Sequence, residues 1–130
     1  MNQRIANFTL AILVLLVACK QDPGTEARLG ELEQEFKTNA SATVPTGTQQ
    51  KPEGGVLVQN GLAAIRADQP ADGIILLQSA QKFPNLNASQ RMAVQHSIQA
   101  VTADLVNRAS RGDNRARADL KRIEAFLGQN

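Results

Sequence analysis

The chain has 130 residues, with Lys+Arg at 14 against Asp+Glu at 12 and a formal net charge of +2. That length allows one domain at most, and so small a charge argues against nucleic acid or another polyanion as a partner. A single cysteine excludes an internal disulfide, and four Phe without Trp or Tyr leave almost no stacking platform for bases or sugars.

Residues 1–7 carry Arg4 beside the terminal amino group, and residues 8–18 are apolar apart from Thr9. Such a run is roughly 16 Å long as a helix, about half of the ~30 Å hydrocarbon core of a bilayer. It has the proportions of a secretory signal rather than of a membrane span. Leu16-Val17-Ala18-Cys19 closes the run, and Cys19 is the only cysteine of the chain. This segment resembles the lipobox of bacterial lipoprotein precursors. The resemblance covers residues 1–19. It implies cleavage before Cys19, diacylglycerol on the Cys19 sulfur and usually a third acyl chain on the new amino group. Each buried methylene is worth about 0.8 kcal/mol, so two or three chains hold where one would let go. The alternatives are an ordinary signal peptide or an uncleaved N-terminal anchor. Lys20 follows the cysteine, where two-membrane bacteria place Asp for inner-membrane retention. In such a cell the resemblance therefore implies the periplasmic face of the outer membrane. Removing Arg4 with the signal leaves Lys+Arg at 13 against Asp+Glu at 12, a balance of +1.

Residues 20–25 include Asp22-Pro23-Gly24, a turn and spacer signal. Residues 26–37 place Leu29, Leu32 and Phe36 at helical spacing and predict a short amphipathic helix, weakened by Gly30. It either docks on the main domain or frays; a coiled-coil seam would need more heptads. Residues 38–55 are rich in Thr, Ala, Gly, Pro and Gln without apolar period, and read as a flexible linker.

Residues 56–127 are the expected helical domain. A first helix over 56–67 carries the stripe Val58, Leu62 and Ile65. Pro70 suits the first position of a second helix, 71–83, in which Ile74, Ile75, Leu76, Leu77, Ala80 and Phe83 cover much of the surface. Asn87 and Gln90 can form a capping box for a third, 88–111, with Val94, Ile98, Val101 and Leu105 on one face. Gly112 ends it, Asp113 caps a fourth over 114–127, and Ala116, Leu120, Ile123 and Leu127 form its apolar side. The expectation is all-α: a small antiparallel bundle of about four helices behind a flexible N-terminal tether.

Residues 57–84 resemble a single tetratricopeptide-type helical hairpin. Gly61 and Gly73 stand where that repeat has small residues for close helix approach, and Pro84 lies near its closing proline. Leu57 and Ala64 replace its usual Trp and Tyr, and no second copy follows. A lone repeat implies no concave groove.

Arg108, Arg111, Arg115, Arg117, Lys121 and Arg122 cluster around the junction of the last two helices. They read either as a patch for anionic lipid or an acidic partner, or as a solvated face with pairs such as Arg115–Asp119 and Asp119–Arg122. His96, the only histidine, falls away from the apolar stripe and is expected on the surface. No phosphate loop, zinc spacing, paired carboxylates or nucleophile elbow is found, and no cofactor or small-molecule substrate is expected. The sequence points to a non-catalytic, lipid-anchored interaction module of the cell envelope. Its expected partners are the membrane, through Cys19, and an envelope protein. The rival readings are a binder of anionic lipid and an unusual enzyme.

Overall fold

The computed structural model describes residues 23–40 and 53–129. Cys19, the rest of the lipobox, the segment before it and residues 41–52 lie outside the described residues. Those described form five helices and no strand: α1 Pro23–Ala40, α2 Glu53–Arg66, α3 Pro70–Gln81, α4 Ala88–Ser110 and α5 Asn114–Leu127.

The α2–α3 hairpin is held by contact between backbones. A Cβ at Gly73 would lie 2.3 Å from Ile65 Cγ1 and 2.7 Å from the Gly61 carbonyl oxygen. At Gly61 it would meet Leu77 Cγ at 3.0 Å and the Gly73 carbonyl oxygen at 3.1 Å. The small residues picked out in the sequence are therefore where the two helices touch. The turn between them puts Asp68 at φ 59°, a left-handed conformation that Asp tolerates better than most residues. Pro70 opens α3 without losing a hydrogen bond, because the first N–H groups of a helix have no partner within it.

Helix α3 is the hub, with Ala71, Ile74, Leu77 and Ala80 fully buried and α2, α4 and α5 all packed against it. The loop leaving it is pinned by Arg91, whose guanidinium donates to the carbonyls of Gln81, Phe83 and Leu86 at 3.0–3.1 Å. Asn87 and Gln90 form the expected reciprocal capping box. Gly112, at φ 98°, turns the chain into α5, and Asp113 caps α5 by accepting from the N–H groups of Arg115 and Ala116. Of the expected apolar side of α5, Ala116 and Ile123 are buried and Leu120 is half-buried, but Leu127 is exposed.

The extents of two segments differ from the expectation. The helix expected over residues 26–37 runs from Pro23 to Ala40; of the two fates expected for it, it docks, as a fifth helix of the bundle with Leu29 and Leu32 fully buried. It lies antiparallel to α4: Thr25 Oγ1 donates to the Ala100 carbonyl at 3.4 Å, and Ser97 Oγ to the Arg28 carbonyl at 3.2 Å. The expected linker is also shorter, since residues 38–40 end α1 and residues 53–55 begin α2. Each buried leucine contributes about 1.5–3 kcal/mol toward holding α1 on the bundle.

Two glycine substitutions should move stability in opposite directions. Gly73→Ala forces apart two backbones and should destabilise by about 1–3 kcal/mol. A Cβ at the exposed Gly30 meets nothing within 4 Å. Gly30→Ala should therefore stabilise α1 by about 0.5–1 kcal/mol, on helix propensity alone. Urea unfolding midpoints measure both; a neutral Gly73→Ala would mean that the helices do not touch there.

Candidate functional site

The basic junction is built by the α4–α5 turn. Arg108, in the last turn of α4, bonds the Asp113 carboxylate at 2.9 Å and lies 3.8 Å from Asp104. Partial burial works against its charge, but the hydrogen bond and charge of Asp113 outweigh it and hold the guanidinium above its ordinary value. Asp113 is held low by the N–H of Ala116 and then by Arg108. One carboxylate thus caps α5 and neutralises the end of α4.

The other cations of the cluster do not all face a vacant surface. Arg115 pairs with Asp68 at 2.6 Å and also donates to the Asp68 carbonyl. Arg122 pairs with Asp72 at 2.6 Å. These cross-helix pairs stand in place of the expected pairs within α5. Asp119 has one carboxylate oxygen buried without a hydrogen bond, and burial pushes its pKa up against the pull of Arg115, Arg122 and Arg108. Arg117 donates to the Ala109 carbonyl and to Asn114 Oδ1, both at 3.2 Å. Arg111 and Lys121 are exposed and enter no ion pair among the described residues. Of the six cations, three are engaged by aspartates of the fold, and Arg117 turns to the end of α4 instead.

His96 is half-buried rather than on the surface, and its Nδ1 is buried without a hydrogen bond. Among the described residues no three His, Cys, Asp or Glu side chains gather as metal ligands, and no helix is long and apolar enough to cross a membrane.

Two concavities are lined by described residues. A cleft of about 230 Å³ lies between α1 and α2, lined by Phe36, Lys37, Gln59, Leu62 and Ala63 together with Glu33 and Arg66. Its charges satisfy one another: Glu33 accepts from Arg66 at 2.6 Å and from Lys37 at 2.7 Å. Those two hydrogen bonds, followed by the two positive charges, bring the Glu33 pKa down to about 2. The second is a shallow groove of about 490 Å³ on the C-terminal half of α4, lined by Ile98, Gln99, Thr102, Ala103, Val106 and Asn107. It contains no charged side chain, and Val106 is 53% exposed there. Sequence reasoning missed this groove because one apolar stripe had been assigned to α4, and Val106 and Ala103 fall outside it.

Comparison with protein-family models, with curated proteins and with solved structures finds no match.

The Glu33 cluster predicts a pH dependence of definite sign. The folded pKa is about 2 against an ordinary 4.5, so its stabilisation is present above pH 4.5 and is lost as pH falls toward 2. Glu33→Gln should flatten that part of the thermal-midpoint profile. Because the pair is largely in water, the effect should shrink in high salt. Parallel profiles for variant and wild type at low salt would show that the α1–α2 ion pair does not form in solution.

Proposed function

We propose that this chain is a lipid-anchored helical interaction module of a bacterial cell envelope, held close to its membrane through Cys19. The single observation behind this reading is the junction between lipobox and fold. Only Lys20, Gln21 and Asp22 separate Cys19 from α1, and α1 is a packed member of the bundle. Four backbone steps reach about 14 Å at 3.3–3.6 Å each, so the folded body cannot stray further from its anchor. A leash of 36 residues, as residues 20–55 would make if all were random coil, would span roughly 30–36 Å. The short link favours a body that sits against the membrane over one that searches a shell around it.

The chemistry of this module is that of contact surfaces. Its one histidine lacks a partner at Nδ1, and Glu31, Glu33, Asp68, Asp72, Asp104 and Asp113 are engaged by arginines. The reading with anionic lipid as the ligand of residues 108–122 is weakened by the aspartates that already pair Arg108, Arg115 and Arg122. An envelope protein reached while the body is anchored is the partner class that fits, since confinement makes even weak contacts occupied.

The test is the mass of the N-terminal peptide from membrane-extracted protein. The expected peptide begins at Cys19 and carries diacylglycerol, and Cys19→Ala should leave residues 1–18 attached. An unmodified Cys19 in the wild type would overturn the proposal.

A further inference from the structure

Helix α1 is held differently from the rest of the bundle. Its seat on α4 is the side of Ala93, Ser97, Ala100 and Asp104, small or polar residues. Two hydrogen bonds cross it, from Ser97 to the Arg28 carbonyl at 3.2 Å and from Thr25 to the Ala100 carbonyl at 3.4 Å. Toward α2 it leaves the cleft of about 230 Å³, bridged by the exposed pair of Glu33 and Arg66. Exposing the α4 seat to water costs little, because the hydrophobic effect scales with apolar area. The body beneath is centred elsewhere: α3 carries Ala71, Ile74, Leu77 and Ala80 into a core built with α2, α4 and α5. The connections within that body are residues 67–69, 82–87 and 111–113, whereas residues 41–52 lie between α1 and α2. A connection of that length lets α1 move off without pulling α2 after it.

From the polar seat, the open cleft and the long connection we infer that α1 is a releasable strap: it undocks as a unit while α2–α5 stay folded, and its release turns the short link to Cys19 into a long one. The undocking is a property of the fold; its consequence for reach rests on the lipid-anchor reading. Proteins open in contiguous units, and the units that open first are those with few buried apolar contacts. Leu29 and Leu32, on a seam of small residues, are the fully buried apolar side chains of α1. Docked, the strap keeps the body within ~14 Å of Cys19. Released, residues 20–52 separate Cys19 from α2. As a coil, a chain of that length spans roughly 29–34 Å. One helix seam thus gives the body two working distances from its anchor, one at the membrane and one clear of it.

The experiment uses the mature lipidated protein in vesicles of phosphatidylethanolamine and phosphatidylglycerol, with the Cys19 lipid verified by mass. Hydrogen exchange should show α1 exchanging about 100-fold faster than α3, yet more slowly than unfolded chain. The double variant Leu29→Ala, Leu32→Ala should bring α1 to the unfolded rate and leave α3 protected. Equal rates for α1 and α3 in the wild type would overturn the release, because α1 would then open only with the whole body. Loss of protection in every helix of the double variant, or failure of that variant to fold, would overturn it for the same reason. An α1 without protection in the wild type would overturn it too, since no docked state would exist to release. Reach is read separately. Ser89, exposed at the start of α4, becomes the one free thiol as Ser89→Cys and carries a donor fluorophore, with the acceptor on lipid headgroups. Energy transfer should fall in the double variant. Unchanged transfer in a variant whose α1 has lost protection would overturn the change of reach and leave the anchor standing. An unmodified Cys19 would remove the anchor and the change of reach together, while the exchange rates would still decide the undocking.

Discussion

The backbones of α2 and α3 meet at Gly61 and Gly73, and the remaining helices are arranged around that crossing. With no side chain between them, Ile65 lies against the α3 backbone and Leu77 against that of α2. The close approach leaves the other sides of α3 free to carry Ile74 and Ala80 into the core against α4 and α5. A single extra methyl at Gly73 would have to displace both Ile65 and the Gly61 carbonyl. The energy at stake is comparable with a sizeable fraction of a small domain's net stability of ~5–15 kcal/mol. Two glycines, costly as helix formers, persist mid-helix because contact of the helices returns more than propensity loses.

What could be read from the sequence divides along physical lines. Helix ends were legible wherever local chemistry fixes them: Asn87 with Gln90, Pro70, Gly112 and Asp113 all act within a few residues of themselves. The full role of α1 was not, for a reason found on α4. One side of α4 is the apolar stripe Val94, Ile98, Val101 and Leu105. A second buried side is made by Ala93, Ser97 and Asp104, small or polar residues that carry no hydrophobic period. Ser97 is buried because it bonds the Arg28 carbonyl of α1, a partner 69 residues away in sequence. His96, next to that side, is half-buried, and nothing local in the sequence signals it. A seam built from small residues on one helix and two leucines on another becomes visible only when both are in place.

The same distinction governs the basic cluster. From sequence, Arg115 and Arg122 find carboxylates only at helical spacing, on Asp119. In the fold they reach Asp68 and Asp72, on the turn before α3 and in its first turn. These pairs are exposed and contribute little each. Their effect is on the field: the aspartates of α3 and its turn lower the positive potential that six clustered cations would otherwise create. Asp68 holds its left-handed turn and receives Arg115 on both its side chain and its carbonyl, so the α2–α3 turn and the start of α5 are located by one residue.

The seam between α1 and α4 also fixes how much chain lies between Cys19 and the folded body. Burial of Leu29 and Leu32 together contributes on the order of 3–6 kcal/mol. While that contact holds, three residues separate Cys19 from the body; without it the chain back to α2 would pay out through residues 20–52 and the reach would grow several-fold. A short link limits both how far a body can move and how it can turn. A long one conveys proximity alone. For a body on a short link, orientation is the property that decides which surface a neighbour meets. Here that property depends on two leucines, a threonine and a serine at a helix seam.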